Sequence, residues 1–222
     1  VMPRHALWSK SKALKNIPPL TPRIVAAGTY YDAKVSHPER LVLELVMDGL
    51  KANPASRALN HATIEGTDGS IVSVRDSAGT LNTFKPRLVA NAAGPWIDTV
   101  NAVLGEPTRL IGGTKGSHIL IDHPELIKAL DGRMIYFEAD DGRICLVFNY
   151  HGKALVGSTD IRASDPDTVA CDEEEVDYLL ASMAGLFPGL SFAKQQIVYA
   201  YSGIRPLPAS DASTPGLISR DH

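Results

Sequence analysis

The rhythm of apolar and polar positions changes several times along the chain, and each change predicts an element. Residues 1–23 mix basic and apolar side chains and end in Ile17-Pro18-Pro19-Leu20-Thr21-Pro22, which predicts helix or loop and then an extended connector. Residues 23–35 carry β-branched side chains and the Tyr30-Tyr31 pair, and predict a strand. A helix follows to about Ala52, with Leu41, Leu45, Val46 and Leu50 on one face and Ser36 as candidate N-cap ahead of Glu39. Asn53-Pro54 ends it, because the residue before proline is pushed out of the helical region. Residues 58–65, 71–74 and 80–85 predict short strands joined by turns at Asp68-Gly69 and Ala78-Gly79. The apolar run Leu88-Val89-Ala90 predicts a strand buried on both faces, as parallel strands are. It leads through Asn91-Ala92-Ala93-Gly94-Pro95-Trp96 into a helix carrying Ile97, Val100 and Leu104.

Beyond Arg109 the pattern becomes antiparallel. Residues 116–121, 133–139, 143–150 and 153–159 are strand-length runs, and Asp141-Gly142 and His151-Gly152 are hairpin signals. Residues 172–186 predict a helix, acidic at its start as the helix dipole prefers. Residues 197–204 predict a last long strand, followed by a Pro/Ser/Ala loop in which Leu217-Ile218-Ser219 is a further candidate strand. The fold class read from this is α+β, a composite first part over residues 1–106 and a sheet-rich second part over 107–222.

Composition narrows the classes. At 222 residues, 44% apolar and 21% charged, the chain has ordinary globular usage. A net charge of −3 with no basic tract argues against nucleic acid. No apolar run reaches the length of a membrane-spanning helix. Cys145 and Cys171 match no metal spacing, and no metal site is expected. The chain starts at Val1 without a signal-peptide pattern and reads as a piece of something longer.

Four segments are candidates for chemistry. Ala93 and Gly94 sit at a strand-to-helix turn where small residues let a cofactor or another backbone approach; the plain alternative is a tight packing turn. Gly112-Gly113-Thr114-Lys115-Gly116-Ser117-His118 fails the phosphate-loop order, so a Walker loop is rejected. It reads either as a mobile segment placing Lys115, Ser117 and His118 over a pocket, or as a glycine loop with a solvated lysine and a core histidine. Among side chains, imidazole is the one that accepts a proton near neutral pH. Arg205 and Arg220 bracket a Pro-rich return loop; folded back, both guanidinium groups suit one phosphate or carboxylate. As plain surface arginines they need no site. Glu173-Glu174-Glu175 reads as a solvated first helical turn. No Gly-x-Ser-x-Gly elbow or His-Glu-x-x-His occurs.

Several blocks together resemble the FAD-dependent glycerol-3-phosphate dehydrogenases. They are Tyr30-Tyr31-Asp32 with Arg40-Leu41, Val89-Ala90-Asn91-Ala92-Ala93-Gly94-Pro95-Trp96, Gly113-Thr114-Lys115-Gly116-Ser117-His118-Ile119 and Leu155-Val156-Gly157-Ser158-Thr159-Asp160. Tyr201-Ser202-Gly203-Ile204-Arg205-Pro206-Leu207 and Ile218-Ser219-Arg220-Asp221 complete the set. The resemblance implies an antiparallel substrate-binding sheet with helices over residues 107–222. Residues 1–106 would hold part of a Rossmann-like FAD domain (a β-meander and a parallel strand) and give one strand to the substrate sheet. It implies oxidation of sn-glycerol 3-phosphate to dihydroxyacetone phosphate by hydride transfer to FAD. His118 resembles the family's proton acceptor, Arg205 the arginine at the substrate oxygens and phosphate, and Arg220 a second phosphate arginine, with Ser117 beside them. Ala62, Ala93 and Gly94 resemble FAD contacts.

The family's Gly-x-Gly-x-x-Gly turn occurs nowhere in this sequence, so the chain alone is expected neither to retain FAD nor to be active. Quinone or oxygen is the expected electron acceptor and a homodimer the candidate assembly. The expected location is cytoplasmic, with peripheral membrane association in the parent enzyme as the variant. The competing readings are a non-catalytic small-anion binding module and a flavin oxidase of amines or 2-hydroxy acids.

Overall fold

The computed structural model describes residues 2–209, so Arg220 and the strand expected at Leu217-Ile218-Ser219 lie outside the described residues. The chain divides into two compact units, Val1–Ala33 with Gly113–His222, and Lys34–Gly112. The division expected at residue 106 therefore falls differently: the first segment groups with the last. The cause is packing, since Ala13, Ile17 and Leu20 are buried in the same apolar core as Leu186 and Phe187. That first segment consists of β1 (Ala6–Ser9), α1 (Lys10–Asn16) and β2 (Ala26–Thr29), with β1 and β2 antiparallel. Ser9 caps α1 by accepting from the Lys12 N–H.

In the Lys34–Gly112 unit, α2 (Pro38–Ala52) has Pro38 in its first turn and His37, not Ser36, as N-cap. Proline is pre-organised for that first position, which fixes the cap one residue before it. The predicted apolar stripe is present, but no residue of α2 is buried among the described residues. Strands β3 (Thr63–Thr67), β4 (Val72–Arg75) and β5 (Leu81–Phe84) form the expected meander. Asp68 and Asp76 build its turns by accepting from the N–H groups of Ile71 and Thr80. Helix α3 (Ile97–Val103) follows a 3₁₀ turn at Gly94–Trp96. The parallel strand expected at Leu88-Val89-Ala90 does not form. Every ladder among the described residues is antiparallel, and Leu88 is 85% exposed. A parallel strand needs cover on both faces, and no described segment supplies it. The Rossmann-like remnant is thus not found among the described residues.

The remaining elements build a six-stranded antiparallel sheet from β6 (Thr114–Ile121), β7 (Met134–Glu138), β8 (Ile144–Tyr150), β9 (Lys153–Gly157), β10 (Ile161–Arg162) and β11 (Ile197–Arg205). Helices α4 (Pro124–Leu130) and α5 (Glu173–Leu186) belong to the same unit. Central β6 pairs with β11 along one edge and with β9 and then β10 along the other. Alternation gives the sheet two faces. One presents Ile119, Ile121, Val147 and Val156 to Leu126, Leu130, Leu179, Met183 and Phe187 in a continuous core. The other carries two cross-strand rows, Tyr201–His118–Gly157–Leu146–Tyr136 and Tyr199–Leu120–Leu155–Phe148–Met134. Tyr136, Met134, Tyr199 and Tyr201 on this second face are exposed.

Candidate functional site

His118 projects from the middle of β6 onto the open face. Its ring stacks on Tyr201 at a centroid distance of 5.1 Å and an interplanar angle of 8°. Beneath it lies Gly157, its partner across the β6–β9 ladder. A Cβ at position 157 would sit 2.1 Å from His118 Cδ2, so only glycine leaves the imidazole this seat. Its Nδ1 is buried without a hydrogen-bond partner. Burial, and then the positive charge of Arg205, push its pKa from the ordinary 6.5 down to about 4. At neutral pH the imidazole is therefore uncharged.

Arg205, at the end of β11, lies over a second glycine floor. A Cβ on Gly116 would be 2.1 Å from Arg205 Nη2. The guanidinium crosses β6 to the Ser158-Thr159-Asp160 turn. There Nη2 donates to Ser158 Oγ at 2.8 Å and to the Thr159 carbonyl at 3.0 Å, while Nη1 reaches Asp160 Oδ1 at 3.3 Å. Residues 116 and 118 share one face of the strand. The structure thus brings His118 and Arg205 together: an uncharged base beside a fixed cation on an open, largely apolar wall.

On the opposite face lies a buried polar knot. Glu175, 1% exposed, accepts through Oε1 from Ser117 Oγ at 2.8 Å and Thr159 Oγ1 at 2.6 Å. Its Oε2 pairs with Lys115 Nζ at 2.7 Å and accepts from the Asp172 N–H at 3.1 Å. Burial alone would raise this carboxyl, but the bonds from Lys115, Thr159 and Ser117 outweigh it and hold the pKa below the usual range. Lys115 also donates to Asp172 and to the Ala170 carbonyl. With its one proton committed to Glu175, Ser117 Oγ accepts from Ser202 Oγ at 2.6 Å.

The expected site residues sort accordingly. His118 and Arg205 lie on one face of β6, each over a glycine. Ser117, expected at the substrate, is fully buried on the other face and bonded to Glu175, because neighbours in a strand point opposite ways. Lys115 is tied down rather than mobile, since the whole run from Thr114 is strand. Glu175 is core, not solvated turn: the capping box it forms with Asp172 turns it inward. Arg220 lies outside the described residues. Ala62, Ala93 and Gly94 belong to the Lys34–Gly112 unit. There Ala93 precedes the 3₁₀ turn, and Gly94 has φ +57° with nothing within 4 Å of a Cβ built on it. No metal cluster occurs among the described residues. A shallow hollow of about 410 Å³ along residues 161–170 includes neither His118 nor Arg205. Sequence reasoning gave no role to Gly116, Gly157, Tyr201, Thr159 or Glu175. The usable signal was register, which places glycines opposite and beside the two functional side chains.

Known proteins share this arrangement of chain. The chain is 33% identical over 213 residues to a glycerol-3-phosphate dehydrogenase of Synechocystis sp., covering 87% of this chain and 37% of that protein. It is 33% identical over 162 residues to a D-erythritol 1-phosphate dehydrogenase of Brucella abortus, covering 69% of this chain and 31% of that protein. Among solved structures, a glycerol-3-phosphate dehydrogenase from Bacillus halodurans complexed with FAD superposes with a TM-score of 0.80 at 25% identity, over 96% of this chain and 43% of that one. A glycine oxidase from Geobacillus kaustophilus, at 22% identity and a TM-score of 0.64 over 92% of this chain and 52% of that one, shares the fold. The chain spans 31–37% of the length of these two curated relatives. The family model for FAD dependent oxidoreductases (DAO) matches residues 2–219. With a match across almost its entire length, the chain belongs to the DAO family of FAD-dependent oxidoreductases.

Proposed function

We propose that this chain carries the substrate-binding sheet and part of the cofactor domain of an enzyme that oxidises sn-glycerol 3-phosphate to dihydroxyacetone phosphate. The observation that carries the reading is the pairing of His118 and Arg205 over their glycine floors on one open face. The dehydrogenase names of the relatives supply the substrate class, a polyol phosphate.

The residues fit a planar cofactor. The open face is a broad aromatic and apolar wall, Gly157 raises no side chain from it, and His118 Nδ1 is buried without a partner. Ala62, Ala93 and Gly94 are the proposed contacts in the Lys34–Gly112 unit, where Gly94 leaves its surroundings clear. Bound FAD would supply the hydride acceptor for the substrate's carbinol carbon. The chain's own residues do the rest. The imidazole of His118 takes the hydroxyl proton, which its uncharged state permits. Arg205 and Arg220 pair with the phosphate and fix the reacting carbon against His118, so remote binding energy orients the chemistry. Wall residues such as Tyr201 keep water from the imidazole.

The test is steady-state kinetics of the full-length flavoprotein with an artificial dye as acceptor, with glycerol 3-phosphate, erythritol 1-phosphate and glycerol as substrates. His118→Ala should lower kcat far more than it raises KM. A turnover number unchanged by that substitution, or no preference for the phosphorylated polyols, would overturn the reading. Oxygen consumption in the same assay separates an oxidase from a quinone-linked enzyme.

A further inference from the structure

We infer that Glu175 is a positioning residue for Arg205, acting through Thr159 and the turn that follows β9. The chain of contacts is continuous. The buried Glu175 carboxylate accepts the Thr159 hydroxyl proton at 2.6 Å. The same hydroxyl oxygen accepts from the Ser117 N–H at 2.8 Å, tying the turn to β6 one residue before His118. The backbone carbonyl of Thr159 in turn accepts from Arg205 Nη2 at 3.0 Å, and its neighbour Ser158 accepts from the same nitrogen at 2.8 Å. One carboxylate therefore fastens three things from beneath the sheet: the start of α5, the strand that carries His118, and the turn that aims Arg205.

Chemistry favours this role over a purely structural one. A carboxylate shut away from water is costly unless every lone pair is used. Here four donors use them: Ser117, Thr159, Lys115 and the Asp172 N–H. Apolar side chains would fill the same space without that cost, as they do a few residues on at Leu179 and Met183. What apolar packing does not supply is direction. Satisfied polar networks fix geometry, and a guanidinium that must meet a phosphate needs its supporting turn held to a fraction of an ångström.

The inference rests on the functional reading of His118 and Arg205, and its test separates the two. In the full-length flavoprotein, Glu175→Gln is informative if it folds, but it strands Lys115. Thr159→Val and Thr159→Ser are the cleaner pair, because valine keeps the volume but removes the hydroxyl's bonds to Glu175 and to the Ser117 N–H, and serine restores both. Flavin content and thermal midpoint are recorded for each variant. Thr159→Val should lower kcat/KM for glycerol 3-phosphate by about 100-fold, the scale of a 1 Å misplacement. Thr159→Ser should recover most of it. In an Arg205→Ala background, Thr159→Val should cost less than about threefold, because two residues acting through one contact are not additive. Equal losses with and without Arg205, or failure of serine to rescue, overturn the positioning role and leave the functional reading standing. Absence of turnover in the unmutated protein overturns the functional reading, and this inference falls with it.

Discussion

The imidazole of His118 occupies the space that any side chain at Gly157 would require: a Cβ there would lie 2.1 Å from Cδ2 and 2.6 Å from Nε2. The two residues face each other across the β6–β9 ladder, so neither strand yields without breaking register. Gly157→Ala is expected to displace the ring rather than the backbone. Turnover should fall by about 100-fold, and kinetics of that variant beside its thermal midpoint would separate a displaced ring from a damaged fold.

Gly116 plays the same part for Arg205, whose Nη2 and Cζ would lie 2.1 and 2.4 Å from an added Cβ. Gly116→Ala should therefore push the guanidinium off its seat. The expected signature is a weakened grip on glycerol 3-phosphate of about 1.5–3 kcal/mol, the worth of a bond to a charged group. Binding of unphosphorylated glycerol should hardly change. Calorimetry with both ligands makes the comparison, and equal losses for the two would remove Arg205 from phosphate recognition.

The His118 pKa, pushed from 6.5 to about 4 by burial and by Arg205, sets a pH dependence. As a base, His118 works uncharged, so kcat/KM should hold down to about pH 4 and fail only below. In Arg205→Ala, loss of the like charge should move that limb upward, with burial alone keeping it below 6.5. Stability follows the same sign. The unfolded chain binds the proton at 6.5 and the folded one only at about 4. This group's contribution is therefore complete above pH 6.5 and drains away as the pH falls towards 4. A pH–rate profile of both proteins checks the first statement, and urea midpoints across that window the second.

Phe187 ends α5 with no exposed surface, and its N–H bonds the Met183 carbonyl at 2.8 Å. Phe187→Ala should cost about 3–5 kcal/mol through lost burial and the cavity left behind. Equilibrium denaturation would measure it, and a cost below about 1 kcal/mol would mean that this core is not continuous.

Much of this arrangement was legible in the sequence. Asp141-Gly142 and His151-Gly152 do turn hairpins, with both glycines at positive φ. Helix α5 begins where its acidic run starts, whereas His118 and Arg205 stand out only through the family resemblance, since spacing alone leaves each a plain alternative. The failures have physical causes. Ser117 was grouped with His118, although strand alternation forbids neighbours from sharing a face. Glu175 sat in a triplet of like charges that looked solvated, and only the tertiary position of β6 supplies Lys115, Ser117 and Thr159 as partners. Helix α4 is not read from the sequence because seven residues are too short a run to separate a helical period from chance. The run at Leu88-Val89-Ala90 has the composition of a buried strand, but pairing needs partners that composition does not guarantee.

One consequence concerns the order in which the polypeptide can settle. Ala13, Ile17 and Leu20 precede Leu186 and Phe187 by more than 160 positions along the chain, yet they share one core with them, and the Thr21 N–H bonds the Leu186 carbonyl at 2.7 Å. Vectorial synthesis must leave the segment around α1 waiting, its apolar surface wet, until α5 has been made. A core that joins segments so far apart along the chain closes late.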